Sequence, residues 1–367
     1  MRMERLHITF LGPVNSGKST LVNAICGQEV SLVSPTPGTT TDPVRKAVEL
    51  PGLGPCILID TAGLDDASVL GPERERRTRA VLDETDVAVL VGPLPPTLSA
   101  ELRAAGIPVV SYSRGESIES LLGRMAAAAP REEPRYLTGN LVKAGDSVLL
   151  VMPQDSEAPK GRLILPQVQV LRELLDRGCT PLCCTPESLS SAMAALKESP
   201  ALVITDSQVF SLVNKTLPAT WPLTSFSVLL AGAKGNTDVF VEGARAMEQL
   251  RPGDRVLIAE ACTHVPDTED IGRVKIPALL RRKVAGPSGS DTAPLRVEIA
   301  AGNDFPEDLS PYRLIIQCGG CMAGSRLIRF RIKKALLAGV PITNYGIALA
   351  YLQGMLDRIR IPSPQTR

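Results

Sequence analysis

The sequence predicts an α/β protein built of three consecutive parallel-sheet domains. A strand, a glycine-rich loop and a helix follow one another within residues 6–25. Apolar runs then alternate with amphipathic helices between residues 147 and 205, and again from residue 226 onward. Such alternation is typical of parallel sheets covered by helices, and a single core rarely grows beyond about 250–300 residues. We therefore expect domains at residues 1–130, 131–222 and 223–367.

The overall composition indicates a soluble and nearly neutral globular protein. Its 367 residues are 44% hydrophobic and 22% charged, with a net charge of +1. That balance argues against a broad nucleic-acid surface, and an aromatic content of 3% argues against base-stacking platforms. No apolar run approaches the roughly 18 residues that span a bilayer, and residues 1–7 show no secretory signal. We therefore expect a cytoplasmic protein that contacts neither nucleic acid nor membrane, with reduced or metal-bound cysteines.

The loop after the first strand has the form GxxxxGK[ST] and predicts a phosphate-binding site. Its glycines let backbone N–H groups wrap the phosphates, while Lys18 reaches the terminal phosphates and the Ser19 hydroxyl ligates Mg²⁺. The helix that follows adds its N-terminal dipole. The residues expected to contact the nucleotide here are Gly12, Asn15, Ser16, Gly17, Lys18, Ser19 and Thr20.

Two further segments fit a small GTPase. The hydroxyl-rich stretch 37–42 contains Thr39 and Thr40, where such a protein keeps the switch threonine that closes on Mg²⁺. A buried strand then ends in a DxxG sequence, with Asp60 expected in the second shell of the metal and Gly63 at the γ-phosphate. In this order the segments resemble a translation-factor-class GTPase. The predicted catalytic residues are Lys18, Thr40, Asp60 and Gly63.

One part of a GTPase domain is missing from the sequence. After residues 86–91 such a domain should supply a helix, a strand and the Asn-Lys-x-Asp motif that reads guanine, and no such motif occurs downstream. Instead, a short helix leads to residues 107–119, which resemble the final strand and Ser-Ala-Lys loop, as though the guanine-reading strand had been deleted. We expect phosphate and Mg²⁺ binding to survive, base discrimination to be weakened, and turnover to be slow or absent.

The middle domain is predicted to be a small α/β unit that associates with itself. Three strands alternate with helices, and a sheet of three strands exposes edges and faces that need covering. Its sequence contains no catalytic pattern. Five cysteines of the chain are interpreted as small buried hydrophobic residues: Cys26, Cys56, Cys179, Cys183 and Cys184.

Three cysteines mark the last domain as a metal site. Cys262 and Cys318 each follow an apolar run that reads as a buried strand, and ligands of doubly wound sheets gather at the carboxyl ends of strands. Two glycines separate Cys318 from Cys321, so the backbone can fold tightly around an inorganic core. The residues alone leave two alternatives open. They are an iron–sulfur cluster, and a structural zinc held by Cys262, His264, Cys318 and Cys321.

Motifs along nearly the whole chain together resemble one family. Besides the GTPase loop, they occupy residues 157–169, 204–208, 260–264, 270–277, 318–322 and 340–346. In these motifs the chain resembles HydF, the [FeFe]-hydrogenase maturation GTPase family, and Asn15 resembles the loop asparagine of potassium-activated GTPases, which implies K⁺. The resemblance implies a homodimer with a P-loop GTPase domain, a small α/β dimerisation domain and a doubly wound α/β [4Fe-4S] domain. It also implies a scaffold that receives a diiron precursor bearing CO and cyanide from radical-SAM maturases and delivers it to apo-[FeFe]-hydrogenase.

The chain departs from the family pattern at one ligand. The pattern is Cys-x-His, a long gap, and His-Cys-x-x-Cys, but position 317 is glutamine and the only other histidine besides His264 is His7, on the first strand. Three thiolates leave one iron of a cubane without cysteine, and the candidates for it are His264, Glu269, water or a bridge to the precursor. A labile position suits a carrier, so we favour the cluster over zinc.

We therefore expect a [4Fe-4S] scaffold coupled to GTP binding and hydrolysis, with Mg²⁺ as the second cofactor. The GTPase activity is implied by resemblance, since the guanine-specificity motif is absent. Two alternatives stay open. One is a P-loop NTPase with a structural zinc, and the other is a HydF-like protein that binds phosphates without hydrolysing GTP.

Overall fold

The computed structural model describes residues 5–27, 43–64, 71–130, 136–154, 161–261, 270–285, 295–302, 304–321 and 323–363. They belong to two compact units, Met1–Pro134 and Arg135–Arg367. The predicted α/β class is confirmed, because helices cover parallel strands in both units. Within the described parts of the chain, every helix is too short or too polar to cross a membrane.

The first unit is built on one five-stranded sheet with the strand order β2-β3-β1-β4-β5. Only β2 runs antiparallel, beside β3. The elements in chain order are β1 (Leu6–Leu11), α1 (Lys18–Cys26), β2 (Val44–Leu50), β3 (Gly54–Asp60), α2 (Gly71–Leu82), β4 (Val87–Val91), α3 (Pro96–Ala104), β5 (Val109–Tyr112) and α4 (Ile118–Ala128).

The burial of each strand follows from its place in this sheet. Every residue of the central strand β1 is buried, as expected where helices cover both faces of a parallel sheet. Its alternate side chains contribute to two cores, with Ile8 and Phe10 in one and Leu11 in the other. The edge strand β2 carries Arg45, Lys46 and Glu49, and charged side chains are a common protection for an exposed edge.

The β4–β5 edge of this sheet is where the guanine-reading segment of a GTPase domain would be expected. All of residues 92–108 are described, and α3 is the one helix between β4 and β5. The strand β5 pairs directly with β4, from Ala88 opposite Val109 to Val91 opposite Tyr112. The interval therefore holds no additional strand.

The second unit contains two four-stranded sheets, and each is parallel throughout. Their orders are β7-β6-β8-β9 and β11-β10-β12-β13. The elements are β6 (Ser147–Val151), α5 (Leu165–Asp176), β7 (Thr180–Cys184), α6 (Leu189–Ala195), β8 (Leu202–Thr205), α7 (Phe210–Thr216), β9 (Leu223–Ser225), α8 (Phe226–Lys234), α9 (Thr237–Arg245), β10 (Arg255–Ala259), α10 (Ile276–Ala285), β11 (Arg296–Ala300), β12 (Leu314–Gln317), α11 (Ser325–Leu337), β13 (Ile342–Asn344) and α12 (Tyr345–Leu352).

The two sheets of this unit share one hydrophobic core. The same buried cluster contains Leu149 and Val203 from the first sheet and Leu257 and Ile315 from the second. The sequence predicted three strands for the first sheet, and the structure adds β9, whose three residues are too few to give a periodic pattern. The predicted boundary between residues 222 and 223 thus falls directly before a strand that pairs with β8.

The cysteines interpreted as hydrophobic residues differ in their burial. Cys56 and Cys179 are buried, while Cys26 and Cys184 are partly buried. The interpretation is wrong for Cys183, which is exposed because β7 lies at the edge of its sheet. Burial raises the pKa of Cys184 to about 11, with the neighbouring Cys183 as a second cause. Its thiol is therefore protonated at neutral pH.

Candidate functional site

The phosphate loop follows β1 and is shaped by close backbone contacts. A side chain at Gly12 would bring a Cβ within 2.2 Å of the carbonyl oxygen of Val91, so only glycine fits. Asn15 has a φ of 58°, a left-handed conformation that is uncommon for residues other than glycine. Ser16 and Gly17 complete the turn, and α1 begins at Lys18, with Ser19 and Thr20 in its first turn.

Lys18 folds back over its own loop. Its side chain is buried, and Nζ donates hydrogen bonds to the carbonyl oxygens of Gly12 at 2.9 Å and Pro13 at 2.6 Å. Nζ also lies 3.4 Å from Ser16 Oγ. The ammonium group therefore sits over the loop that is predicted to hold the phosphates.

The predicted Mg²⁺ ligand and its supporting carboxylate are in direct contact. The Ser19 hydroxyl donates to Asp60 Oδ2 at 2.6 Å. Asp60 ends β3, which is hydrogen-bonded to β1, so the two side chains meet at the carboxyl edge of the sheet. This arrangement brings a hydroxyl and a buried carboxylate together, both of which are oxygen ligands suited to Mg²⁺.

The DxxG segment packs against the phosphate loop. A Cβ at Gly63 would lie 2.5 Å from the backbone nitrogen of Val14, so the close approach requires glycine. The N–H of Leu64 also donates to the carbonyl oxygen of Gly12 at 3.4 Å. The structure thus brings Gly63 to the loop, while Thr39 and Thr40 lie outside the described residues.

The first carboxylate after β5 in the sequence, that of Glu116, is hydrogen-bonded to an arginine. Glu116 accepts hydrogen bonds from Arg124 Nη2 at 2.5 Å, Ser120 Oγ at 2.8 Å and the N–H of Ser113 at 3.3 Å. The Arg124 hydrogen bond is the main reason why the pKa of Glu116 lies below its ordinary value. This carboxylate therefore stays ionised and bound to its own loop.

The second candidate site is the loop from Cys318 to Cys321, here called the cysteine loop. It begins where β12 ends, and Ala259 at the end of β10 lies opposite Gln317 in the parallel register. The Sγ atom of Cys318 accepts a hydrogen bond from the N–H of Ala261 at 3.0 Å. Burial raises the pKa of Cys318, opposed by the N–H groups of Ala261 and Gly320 and by the charge of Arg331.

A buried lysine holds the other half of the cysteine loop. Lys234, at the end of α8, donates from Nζ to the carbonyl oxygens of Gly320 and Ala323, both at 2.8 Å. The carbonyl oxygen of Cys321 lies 3.5 Å from the same Nζ. Gly320 has a φ of 61°, and a Cβ there would lie 2.8 Å from Ile328, which explains one of the two glycines between the cysteines.

A buried arginine lies on the Gln317 side. Arg331 donates from Nη1 to Gln317 Oε1 at 2.9 Å and to the carbonyl oxygen of Glu260 at 3.1 Å. Its Nη2 donates to the carbonyl oxygen of Gly302 at 2.6 Å. The guanidinium also stacks 4.8 Å from the centre of the Phe305 ring. Arg331 thus joins the ends of β10, β11 and β12.

The sequence reasoning did not find Lys234 or Arg331. A signal for Arg331 was available, because it occupies the same helical face as the buried residues Leu327, Ile328 and Ala335 of α11. A charged residue on a buried helical face needs partners. Lys234 gives the same kind of signal, because it lies on the helical face of the buried residues Leu230 and Ala231 of α8. Its partner could not be found locally, since Gly320 lies 86 residues away.

The structure brings together part of the predicted metal site. Cys318 and Cys321 share the cysteine loop, whereas Cys262, His264 and Glu269 lie outside the described residues. Within the described part of the chain, no three His, Cys, Asp or Glu side chains form a group that could hold a metal ion. Ala261, which precedes Cys262, is the last described residue before that gap.

The fold and the first site define a P-loop protein of the GTPase class, joined to a parallel α/β unit that presents a cysteine loop. Residues 7–108 match the model of the 50S ribosome-binding GTPase. Residues 137–235 match the hydrogen maturase F dimerization domain, and residues 238–361 match its tetramerization domain. The chain belongs to the HydF family, as its resemblance in sequence predicted.

Curated relatives match the first part of the chain. The tRNA modification GTPase MnmE of Methylobacterium sp. (strain 4-46) is 36% identical over 151 residues, covering 35% of this chain and 34% of the relative. MnmE of Acidiphilium cryptum (strain JF-5) is 45% identical over 95 residues, covering 25% of this chain and 21% of the relative. The chain therefore spans about a third or less of the length of these two relatives.

Two solved GTPase structures are similar to parts of the chain. Era in complex with MgGDPNP and 16S ribosomal RNA is 18% identical and has a TM-score of 0.28, covering 50% of this chain and 94% of that chain. NFeoB from S. thermophilus bound to GDP.AlF4- and K+ is 14% identical and has a TM-score of 0.23, covering 66% and 80%. Both scores are low.

Proposed function

We propose that this chain is a scaffold for [FeFe]-hydrogenase maturation that holds a [4Fe-4S] cluster through Cys262, Cys318 and Cys321. The observation that carries the proposal is the 3.0 Å hydrogen bond from the Ala261 N–H to Cys318 Sγ. Ala261 directly precedes Cys262 in the sequence. The residue before Cys262 is therefore hydrogen-bonded to the sulfur of Cys318, which brings the backbone next to Cys262 close to Cys318.

The chemistry around the cysteine loop fits a cluster. Thiolates are the usual ligands of iron–sulfur clusters, and N–H groups that donate to the sulfurs stabilise their negative charge. Lys234 and Arg331 bring two buried cations to this loop, and a thiolate-bound cluster adds compensating negative charge. A cluster held by the three cysteines would have one iron without a thiolate ligand. His264, Glu269, water or a bridge to the diiron precursor would occupy that position.

The phosphate loop binds Mg²⁺ and GTP. Lys18 contacts the terminal phosphates and Ser19 binds Mg²⁺ with Asp60 behind it, a role supported by the 2.6 Å contact between the last two. Thr40 closes on the metal, and Gly63 meets the γ-phosphate.

Nucleotide turnover is slow and discrimination between guanine and adenine is weak. The interval between β4 and β5 contains no further strand, and the Glu116 carboxylate after β5 is engaged by Arg124. A K⁺ bound beside the phosphates at Asn15 is proposed from the resemblance of this residue to the loop asparagine of potassium-activated GTPases.

The second unit assembles the scaffold into a homodimer and supports its role as a carrier. Its matches to dimerization and tetramerization domains support self-association. The helix α5 offers an apolar surface for it, with Leu165, Val168 and Leu175 exposed by 39%, 46% and 50%. In this role the chain receives a diiron precursor from radical-SAM maturases and delivers it to apo-[FeFe]-hydrogenase.

The cluster assignment is tested by a pair of cysteine variants. In anaerobically prepared Cys321→Ser we expect the iron content to fall from about four to below one per chain, because a serine hydroxyl replaces a thiolate ligand. Cys183→Ser is the matched control, since Cys183 is exposed on β7, and it should keep its iron. Iron unchanged in Cys321→Ser would contradict the assignment, as would equal losses in both variants.

A further inference from the structure

Gln317 stands at a position where the family pattern has a histidine ligand. It is the last residue of β12, its side chain is fully buried, and it directly precedes Cys318. We infer that Gln317 is a positioning residue whose side-chain N–H donates to the Cys318 sulfur, and that Arg331 fixes the direction in which its amide faces. This inference rests on the proposed function, because it concerns the cluster that Cys318 is proposed to bind.

The direction of the amide follows from the chemistry of its partner. A guanidinium has five N–H donors and no acceptor, so only the oxygen of an amide can face it. Arg331 Nη1 lies 2.9 Å from Gln317 Oε1. The NH₂ group must then point to the opposite side, where Nε2 lies 3.6 Å from Cys318 Sγ and 3.3 Å from the Cys318 carbonyl oxygen. The usual ambiguity between amide oxygen and nitrogen is thereby removed.

Arg331 is held firmly enough to impose this direction. Besides Gln317, it donates to the carbonyl oxygens of Glu260 and Gly302 and stacks on the Phe305 ring. These partners lie after β10, after β11 and in the segment that leads to β12. An arginine in a protein stays protonated, so the guanidinium cannot become an acceptor. The amide of Gln317 therefore has one stable orientation.

The Cys318 sulfur is consequently surrounded by N–H groups. The N–H of Ala261 donates to it at 3.0 Å, and Gln317 Nε2 lies 3.6 Å from it. Hydrogen bonds to ligand sulfurs favour the reduced and more negative cluster, and they are one of the protein's means of setting its reduction potential. Gln317 thus raises the potential of the cluster in this chain.

The same geometry prevents the Gln317 side chain from coordinating iron directly. Its one acceptor atom, Oε1, is committed to Arg331, and its Nε2 carries hydrogens and cannot bind iron. Position 317 therefore supplies a hydrogen-bond donor where the family pattern has histidine. The iron without cysteine is left to an exchangeable ligand.

The test compares three variants of the full chain by EPR-monitored redox titration under anaerobic conditions. Gln317→Leu removes the donor without adding charge, and Gln317→Glu keeps the acceptor for Arg331 but removes the donor. In both, we expect the ratio of reduced to oxidised cluster at a fixed potential to fall about tenfold, which corresponds to about 59 mV for a one-electron couple. The iron content and the wild-type g-values should persist, because no ligand is lost.

Arg331→Lys tests the orienting role separately from charge. Lysine keeps the positive charge but lacks the fork that reaches three acceptors, so the potential should fall in the same direction. In the Gln317→Leu background, the same substitution should change the ratio less than twofold, because there is no amide left to orient. If Arg331→Lys shifts the reduction potential equally in the Gln317→Leu background, Arg331 does not act by orienting the Gln317 amide.

The outcomes distinguish this inference from the proposed function. If the wild-type protein holds about four irons and Gln317→Leu titrates like the wild type, the inference is wrong and the scaffold proposal stands. If Gln317→Leu loses iron or changes its g-values while circular dichroism shows a normal fold, position 317 is a ligand, which also overturns the inference. If the wild-type protein takes up no iron, the cluster proposal fails and this inference with it.

Discussion

The phosphate loop and the cysteine loop each contain a buried lysine that donates to backbone carbonyls, but the two lysines differ in origin. Lys18 reaches Gly12 and Pro13, which are six and five residues away along the chain. Lys234 reaches Gly320 and Ala323 from another helix, 86 and 89 residues away. The first lysine stands where an incoming phosphate can take over its hydrogen bonds. The second fastens the loop that carries Cys318 and Cys321, so its bonds are structural.

This comparison predicts that loss of Lys234 is the more damaging change. In Lys234→Met the carbonyls of Gly320 and Ala323 lose their buried donor, so the free energy of unfolding should fall by about 3 kcal/mol. Iron binding should be lost as well, because the cysteine loop is released. Urea titration followed by the fluorescence of Trp221, the one tryptophan of the chain, measures the first effect.

The matched control for this prediction is Lys215→Met, on the exposed face of α7. It should unfold within about 0.5 kcal/mol of the wild type. A Lys234→Met protein that keeps its iron and its unfolding midpoint would show that the lysine does not fasten the loop.

Loss of Lys18 should affect binding and leave the fold intact. In Lys18→Ala we expect the affinity for fluorescent mant-GTP with Mg²⁺ to fall on the order of 100-fold, since a charge-assisted contact to the phosphates is removed. The affinity of the wild type for mant-ATP should be within about threefold of its affinity for mant-GTP, because the chain lacks the Asn-Lys-x-Asp motif that reads guanine. Lys46→Ala on β2 is the control, and equal losses in both variants would point to unfolding.

A smaller effect is expected from a partly buried ion pair of the first unit. Glu84 accepts a hydrogen bond from Arg45 Nη2 at 2.5 Å, and His7 Nδ1 lies 3.1 Å from Glu84 Oε2. Burial alone would raise the pKa of Glu84, but these two partners outweigh it and leave the pKa below its ordinary value of 4.5. The unfolded chain takes up the proton first as the pH falls. The pair therefore stabilises the unit above about pH 4.5, and this contribution disappears as the pH falls through the lowered pKa.

The change at Glu84 that tests this is Glu84→Gln. It should lower the free energy of unfolding by about 1 kcal/mol at pH 7. It should also reduce the decrease in the free energy of unfolding that the wild type shows as the pH falls below about 4.5. Circular dichroism in urea, with Trp221 fluorescence as the separate reporter of the second unit, measures it. Glu49→Gln, on the exposed side of β2, should keep the wild-type profile, and an unchanged profile in Glu84→Gln would exclude the pair as its source.

The two sites also differ in how far the sequence could predict them. The contacts of Lys18, Ser19 and Gly63 follow from a contiguous loop and a DxxG strand end, which local patterns reveal. The cysteine loop depends on Lys234, which lies 86 residues from Gly320, and on Arg331, which lies 14 residues after Gln317. No local pattern encodes the meeting of these two side chains at the loop. For Gln317 the sequence revealed a missing imidazole, but only the position of Arg331 shows which way the amide faces.

Errors in the predicted fold have similar physical causes. The strand β9 is three residues long, which is too short for an alternating pattern, so its sheet was predicted with three strands instead of four. The exposure of Cys183 depends on β7 being an edge strand, and strand order is a tertiary property. Elements with strong local patterns, such as the strand, loop and helix within residues 6–25, were predicted correctly in kind and order.

The most direct test of the central proposal is metal analysis of the anaerobically purified wild-type chain, together with EPR after reduction by dithionite. The account predicts about four irons per chain and the signal of a reduced [4Fe-4S] cluster. One zinc per chain with no iron would instead identify a closed structural site at these cysteines, and it would contradict the proposed scaffold.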